Sequence, residues 1–490
     1  MGRAIHLNVL RVTVVTLFLT MATGVSAGDP CRSDNSVCID SLNDLTVESL
    51  RQRDYSTVIS VLSQLGGPDK PTDYIRHYSL EGALPASTFM ASYTSDGLRL
   101  YLRLDVPAST APEAGFPMVV FAPGWVSRQD APGYDFGYNN EGLYGQMIQH
   151  YVDNGFAVVT AGYRGRGTVN NIAAQGIEYT DAWGNGSYLS PMFYTIDLLN
   201  LLSGLQQLNA RDWQQWGYGK TDSRRFNPAR TSLVAHSQGG DVALTTLAVV
   251  GDNPTFKYAL HAASIWSGNI PDRFAQADTF GAMASSLQAF MSGDGSWTGS
   301  ATGRKGEVNP DFIFPWPSDW IATVDTTSAD WNWQAKQWSV PTVREARVKK
   351  YREMYDTLNR YVRDLHGVDF KVLTLADGST AIGHAPAVAA TMPNIGGFFK
   401  QQYLTTPLAL HISDRDYYSI PAWSQDLTAR INQAGGSAMT FIYPGTTHSL
   451  KISEHTWFSP AGTRDGVAKA LARDIQLFGA EDPKYITIND

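Results

Sequence analysis

The segment Thr231–Leu244, TSLVAHSQGGDVAL, constrains the fold more than any other part of the chain. Thr231 to Ala235 reads as a buried strand, Ser237 follows at once, and a helical run from Asp241 to Val250 lies just beyond. A strand that turns this abruptly into a helix forces its apex residue into a strained backbone conformation, so the flanking residues must be small. Ala235 and Gly239 meet that demand, with Gly240 following; Ala235 stands where a glycine is more usual. Strand, tight turn and helix in this order form the building unit of a parallel sheet. The helix start also turns free N–H groups and the positive end of the helix dipole toward the serine. Alone, a serine at a helix start would be an ordinary cap. The rest of the chain decides otherwise.

The strand–helix alternation extends on both sides. Leu98–Val106 alternates at period two, and Met118–Ala122 is a short continuous apolar run, the mark of a strand buried on both faces. Phe156–Thr160 reads as the next buried strand, and strand character resumes at Leu408–Ile412. Ala259–Trp266 and Met439–Tyr443 read as further strands. Helices are predicted over Leu45–Gln52, Leu143–Val152, Pro191–Leu208 and from about Gly462 to Phe478. With 43% hydrophobic and 17% charged residues, the 490-residue chain is neither disordered, collagen-like nor a coiled coil. Residues 276–400 break the alternation. They hold a Gly/Ser-rich loop (Gly293–Gly306), a Pro/Trp-rich stretch, an amphipathic basic helix over Val343–Leu365, and six of the thirteen tryptophans. The expected organisation is a catalytic domain over 86–275 and 401–490, an inserted cap over 276–400, and an N-terminal extension over 28–85.

Residues 1–27 read as an export leader. Arg3 and Arg11 accompany a short apolar run, Val12–Met21, and Val25-Ser26-Ala27 has the small residues of a cleavage site. The run falls short of the ~20 residues that span a bilayer, so the expectation is a secreted or periplasmic protein with no integral membrane segment once the leader is removed. In that compartment Cys31 and Cys38, the only cysteines, would close a small disulfide loop.

A serine hydroxyl is a weak nucleophile until a base accepts its proton. On an elbow of this kind the acid and then the histidine follow on loops after later strands. His448 lies on the polar loop after Met439–Tyr443, in FIYPGTTHSL; His411 sits within a strand, and His455 opens the next polar stretch. Pro407–Pro421, PLALHISDRDYYSIP, offers Asp416, which suits the loop spacing better, and Asp414; Asp272 is the remoter alternative. A carboxylate there would hold the imidazole tautomer and stabilise the imidazolium. For an oxyanion, the backbone N–H of Gln238 follows from the elbow itself, and MVVFAPGW offers the N–H of Trp125. No His, Cys or Glu grouping has metal-ligand spacing, and no phosphate loop is present, so neither metal nor cofactor is expected.

Together these segments resemble the α/β-hydrolase superfamily, and within it the catalytic domain of the prolyl oligopeptidase family. The resemblance is carried by Ser92–Pro107 leading into MVVFAPGW, by AGYRGRG (Ala161–Gly167), by HSQGG, by SDRDYYSIP and by YPGTTHS, over roughly 90–275 and 403–480. It implies a mostly parallel central sheet with flanking helices, a triad Ser237–Asp416–His448, and cleavage of a small peptide or ester substrate. Pro123 stands where relatives carry a histidine, and APGW supplies no tyrosine hydroxyl for the oxyanion, which keeps a carboxylesterase or broader acyl hydrolase beside the peptidase reading. A hydrolase-fold binding protein without catalysis is the alternative from another class. The formal charge of −8 disfavours a nucleic-acid partner. Arg164 and Arg166 are read as loop staples rather than anion ligands.

Overall fold

The computed structural model describes residues 42–66, 86–126, 133, 143–169, 171–177, 190–210, 226–257, 259–271, 301–302, 308–309, 371–374, 380–383, 390, 392–413, 419, 421–443, 448–450 and 465–488. The leader, Cys31 and Cys38, Asp272, Asp414, Asp416, His455 and the helix expected over Val343–Leu365 lie outside these residues.

Nine strands form one sheet. In chain order they are β1 (Ile59–Gly66), β2 (Ala86–Ser95), β3 (Leu98–Pro107), β4 (Phe116–Ala122), β5 (Ala157–Ala161), β6 (Phe226–His236), β7 (Ala263–Trp266), β8 (Leu408–Ser413) and β9 (Ala438–Tyr443). Their spatial order is β1-β2-β3-β5-β4-β6-β7-β8-β9. The first three strands pair antiparallel, and β3 pairs antiparallel with β5. From β5 onward every pairing is parallel. The crossovers run through α2 (Leu143–Asp153), α3 (Ser190–Gly204), α4 (Gln238–Val250) and α5 (Pro421–Gln433), with α1 (Val47–Gln52) before the sheet and α6 (Asp465–Gly479) after it. This is the α/β-hydrolase fold, with a mostly parallel sheet and helices on its faces.

Burial follows from the parallel arrangement. Met118–Ala122, Ala157–Ala161, Thr231–His236, Ala263–Trp266 and Leu408–Ser413 are buried throughout, because helices cover both faces. One apolar cluster joins α1, α3 and α4 to one face of the sheet; a second joins α2 and α6 to the other. Strand β9, at the sheet edge, is only partly covered.

Several elements differ from the sequence expectation. The helix expected to Leu208 ends at Gly204 and tightens into a 3-10 turn over Leu205–Ala210. The strand expected from Ala259 begins at Ala263, and α4 begins directly after Ser237 rather than at Asp241. Ala301–Thr302, inside the run read as a loop, pairs with Val308–Asn309 just beyond it. Helix α5 was not anticipated, its apolar residues being sparse, and neither was β1, whose pairing with β2 is interrupted by bulges. Leu45, Val47, Leu50 and Ile59 of the N-terminal extension enter the main core. Ile395 and Phe398, from the end of the span read as an insertion, do so too, and Lys400 pairs with Glu48 of α1 at 2.6 Å.

Candidate active site

The parallel register aligns the C-terminal ends of the strands from which the site residues leave. Ala122 of β4 lies opposite Ala235 of β6, so two residues on, Gly124 and Ser237 stand abreast. On the other side His236 lies opposite Trp266, and Trp266 opposite His411. The C-terminal ends of β4, β6, β7, β8 and β9 therefore lie along one edge of the sheet.

Ser237 has φ 57° and ψ −123°. A non-glycine residue held in such a conformation costs of order 1–3 kcal/mol and persists only where its surroundings fix it. Three backbone hydrogen bonds do so: Ser237 N–H donates to the Trp266 carbonyl at 3.0 Å, and its own carbonyl accepts from Gly240 N–H at 2.9 Å and Asn269 N–H at 3.0 Å. Gly239 lets the new helix press against β4, since a Cβ there would fall 2.1 Å from the Ala122 carbonyl oxygen. The elbow inferred from the sequence thus has its strand, its strained apex and its helix.

A chain of hydrogen bonds joins the elbow to the loops on either side. Gly124 N–H donates to the Tyr144 hydroxyl at 2.8 Å, and that hydroxyl lies 2.9 Å from His236 Nδ1. His236 Nε2 lies 2.8 Å from the carbonyl oxygen of His448. A carbonyl only accepts, so Nε2 carries the proton. In the neutral ring Nδ1 then accepts from Tyr144. Burial pushes the Tyr144 hydroxyl up to about 12, against the opposing hydrogen bond from Gly124, so it keeps the proton it donates. His448 is buried, with its ring centroid 5.0 Å from that of His236. The residue before the serine therefore tethers the loop bearing the candidate base.

Arg166 closes the arrangement from beneath. It is fully buried and donates from Nη1 to the Gly124 carbonyl and from Nη2 to Gln238 Oε1, both at 2.9 Å. Arg164 instead binds the buried Asp197 carboxylate through Nε and Nη2. Both arginines hold loops together, as expected. Trp125, following Gly124, is 50% exposed and not a core residue.

Asp414 and Asp416 follow β8 in the sequence and lie outside the described residues. Beyond them, Ser419 Oγ donates to the Ser267 carbonyl at 2.7 Å, next to the turn whose Asn269 N–H holds Ser237. His411 lies within the core, stacked on Phe441 and 3.0 Å from Asp474. Ser237, Gln238, Trp125 and His448 thus lie on the same sheet edge, with Asp414 and Asp416 on the segment after β8. Tyr144, His236 and Arg166, which link these loops, were not assigned to the site from the sequence. The histidine beside the candidate serine was the available signal. Among the described residues no group of His, Cys, Asp and Glu could hold a metal ion, and no helix is long and apolar enough to cross a membrane.

No family model and no curated protein matches the chain. Among solved structures, an acylaminoacyl peptidase from Pyrococcus horikoshii is similar over 83% of this chain and 43% of its own, at 13% identity and a TM-score of 0.43. Acetyl xylan esterase 1 from a Thermoanaerobacterium species is similar over 86% of this chain and 90% of its own, at 12% identity and a TM-score of 0.39. A rice cell wall degrading esterase from Xanthomonas oryzae is similar over 86% of this chain and 98% of its own, at 14% identity and a TM-score of 0.42. The chain thus spans less than half of the peptidase and nearly all of the two esterases.

Proposed function

We propose that this chain is an exported serine hydrolase that cleaves a peptide or ester bond through an acyl-enzyme. The observation that carries the reading is the backbone of Ser237, φ 57° and ψ −123°, at the junction of a buried strand and helix. The strain has no purpose in a cap: the Ser237 side chain makes no capping hydrogen bond to α4.

In this reading Ser237 Oγ attacks the acyl carbonyl while His448 accepts its proton. Asp416 orients the imidazole and stabilises the imidazolium; Asp414 is its rival for that role. The oxyanion of the tetrahedral intermediate takes hydrogen bonds from the N–H groups of Gln238 and Trp125, beside the N-terminus of α4. Collapse breaks the bond to the leaving group, which receives the proton from His448. Water then attacks the acyl-enzyme by the same route, and Ser237 is regenerated. Peptides of the kind prolyl oligopeptidase relatives cleave are the first substrate class, and acyl esters the second. The exposed Trp125 indole beside the site supports an apolar or aromatic group next to the scissile bond.

Labelling with a fluorophosphonate tests the chemistry. Wild type is expected to label and Ser237→Ala not; equal labelling refutes the reading in favour of a binding protein. A panel of acyl esters and peptide anilides then separates the substrate classes by kcat/KM. N-terminal sequencing of protein recovered from a secreting host should give Gly28, and intact mass under oxidising conditions should show one Cys31–Cys38 bond.

A further inference from the structure

Arg166 carries a buried charge that loop stapling alone does not explain. Arg164, two residues earlier in the same turn, is neutralised by Asp197 at 2.7 Å. Among the described residues no carboxylate pairs with Arg166: its partners are the Gly124 carbonyl, Gln238 Oε1, and the rings of Tyr194 and Tyr163, whose centroids lie 4.6 and 5.2 Å from the guanidinium carbon. A buried cation without a counter-ion is costly to hold, and a neutral donor would staple the same loops at lower cost.

One of its hydrogen-bond acceptors lies on the peptide unit that carries one candidate oxyanion donor, and the other on the side chain of the residue that supplies the second. The Gly124 carbonyl and the Trp125 N–H are the two ends of one peptide unit. Gln238, held by its side chain, offers its own backbone N–H. Gly124 is gripped from its other end too, because its N–H donates to the Tyr144 hydroxyl at 2.8 Å. Only glycine allows this approach: a Cβ at position 124 would lie 2.7 Å from Tyr144 Oη and 3.0 Å from Ser237 Cβ.

We propose that Arg166 is a positioning residue of the oxyanion site, assisted by Tyr144. This rests on the Ser237 reading above. A cation bonded to the carbonyl of a peptide unit polarises that unit, so the Trp125 N–H becomes a stronger donor. The fork of the guanidinium fixes both donors at once, a task the single nitrogen of lysine cannot perform. The charge, bonded to the carbonyl end of the peptide unit that carries the Trp125 N–H, also attracts negative charge as it develops on the substrate carbonyl and so favours the transition state over the ground state.

The test uses the full chain, with active sites titrated by the fluorophosphonate and folding checked by near-UV circular dichroism. Arg166→Lys and Tyr144→Phe are compared with wild type for hydrolysis of the best ester or anilide substrate. They are also compared for inhibition by a trifluoromethyl ketone, whose serine adduct carries an oxyanion. The expected result is a fall in titrated kcat of about 10- to 100-fold with KM within about twofold, and a Ki for the ketone raised by a matching factor. Arg51→Ala serves as the structural control. It removes a guanidinium that holds carbonyls at the far end of α4, and should lower stability without changing titrated kcat. The proposal is overturned if both site variants keep wild-type kcat and Ki, or if only KM changes. Should Arg166→Lys not fold, Tyr144→Phe decides. If wild type neither labels nor hydrolyses any substrate, the Ser237 reading itself has failed, and this proposal with it.

Discussion

Asp474 of α6 is the acceptor on which the second core face depends, and replacing it tests whether the fold of the site-bearing edge is held by polar pairing. The residue is fully buried and accepts from three donors on three other elements: Tyr151 Oη at 2.7 Å, Trp266 Nε1 at 3.0 Å and His411 Nε2 at 3.0 Å. His411 is held in turn through Nδ1 by the Tyr443 hydroxyl, at 2.8 Å. Asp474→Ala leaves the Tyr151 hydroxyl and His411 Nε2 without their acceptor, whereas Trp266 Nε1 keeps Ser264 Oγ at 3.0 Å. At about 1–3 kcal/mol for each of the two orphaned groups the loss is about 2–6 kcal/mol, a large part of the stability of a typical domain. Asp474→Asn behaves differently. Its oxygen, placed at the Oδ2 position, keeps Tyr151 and Trp266, while its amide faces His411, which turns to the tautomer that accepts at Nε2. That exchange costs about 1–3 kcal/mol. Urea unfolding followed by tryptophan fluorescence, with a shared m-value, measures both. Equal losses for the two variants, or a loss under about 1 kcal/mol for alanine, would refute the reasoning, because the cost could then not come from orphaned donors.

Other substitutions probe the elbow and its surroundings. Gly239→Ala should abolish folding or cost about 3 kcal/mol or more, since its Cβ meets backbone on β4 that cannot move aside; soluble yield and thermal melting report it. Asp416→Asn should lower kcat by about three to four powers of ten, whereas Asp414→Asn should leave it within about tenfold; the reverse pattern assigns the acid to Asp414. Stability should fall as pH drops below 6.5. Burial lowers the pKa of both His150 and His261, opposed at His150 by Asp474 and Asp153, and reinforced at His261 by Arg230. The unfolded chain therefore takes up protons first, and folding loses free energy. Urea midpoints between pH 7.5 and 5.5 should fall less steeply in a His150→Gln/His261→Gln variant than in wild type.

Much of the fold was legible because its signals are local. A continuous apolar run marked Met118–Ala122 as a strand of a covered parallel sheet, and the small residues around Ser237 marked a tight turn. The histidine loop was legible by its place after a late strand. Helix α5, with few buried residues, and the bulged edge strand β1 lacked that periodic contrast.

The sequence by itself determined the kind of sheet and the elbow, and it put forward Ser237, His448 and, with Asp414 as its rival, Asp416 as candidates, since each reading rests on residues that are neighbours in the chain. Only the tertiary structure decided how the surrounding groups are shared out. It gave Arg164 a carboxylate 33 residues away and Arg166 the carbonyl of Gly124, 42 residues away, though the two arginines stand in one short run. It set Tyr144 on His236 across 92 residues and Tyr151 on Asp474 across 323. No propensity or spacing records such pairings. They arise when strands distant in sequence align their ends in register and bury polar groups that must find partners where water is excluded.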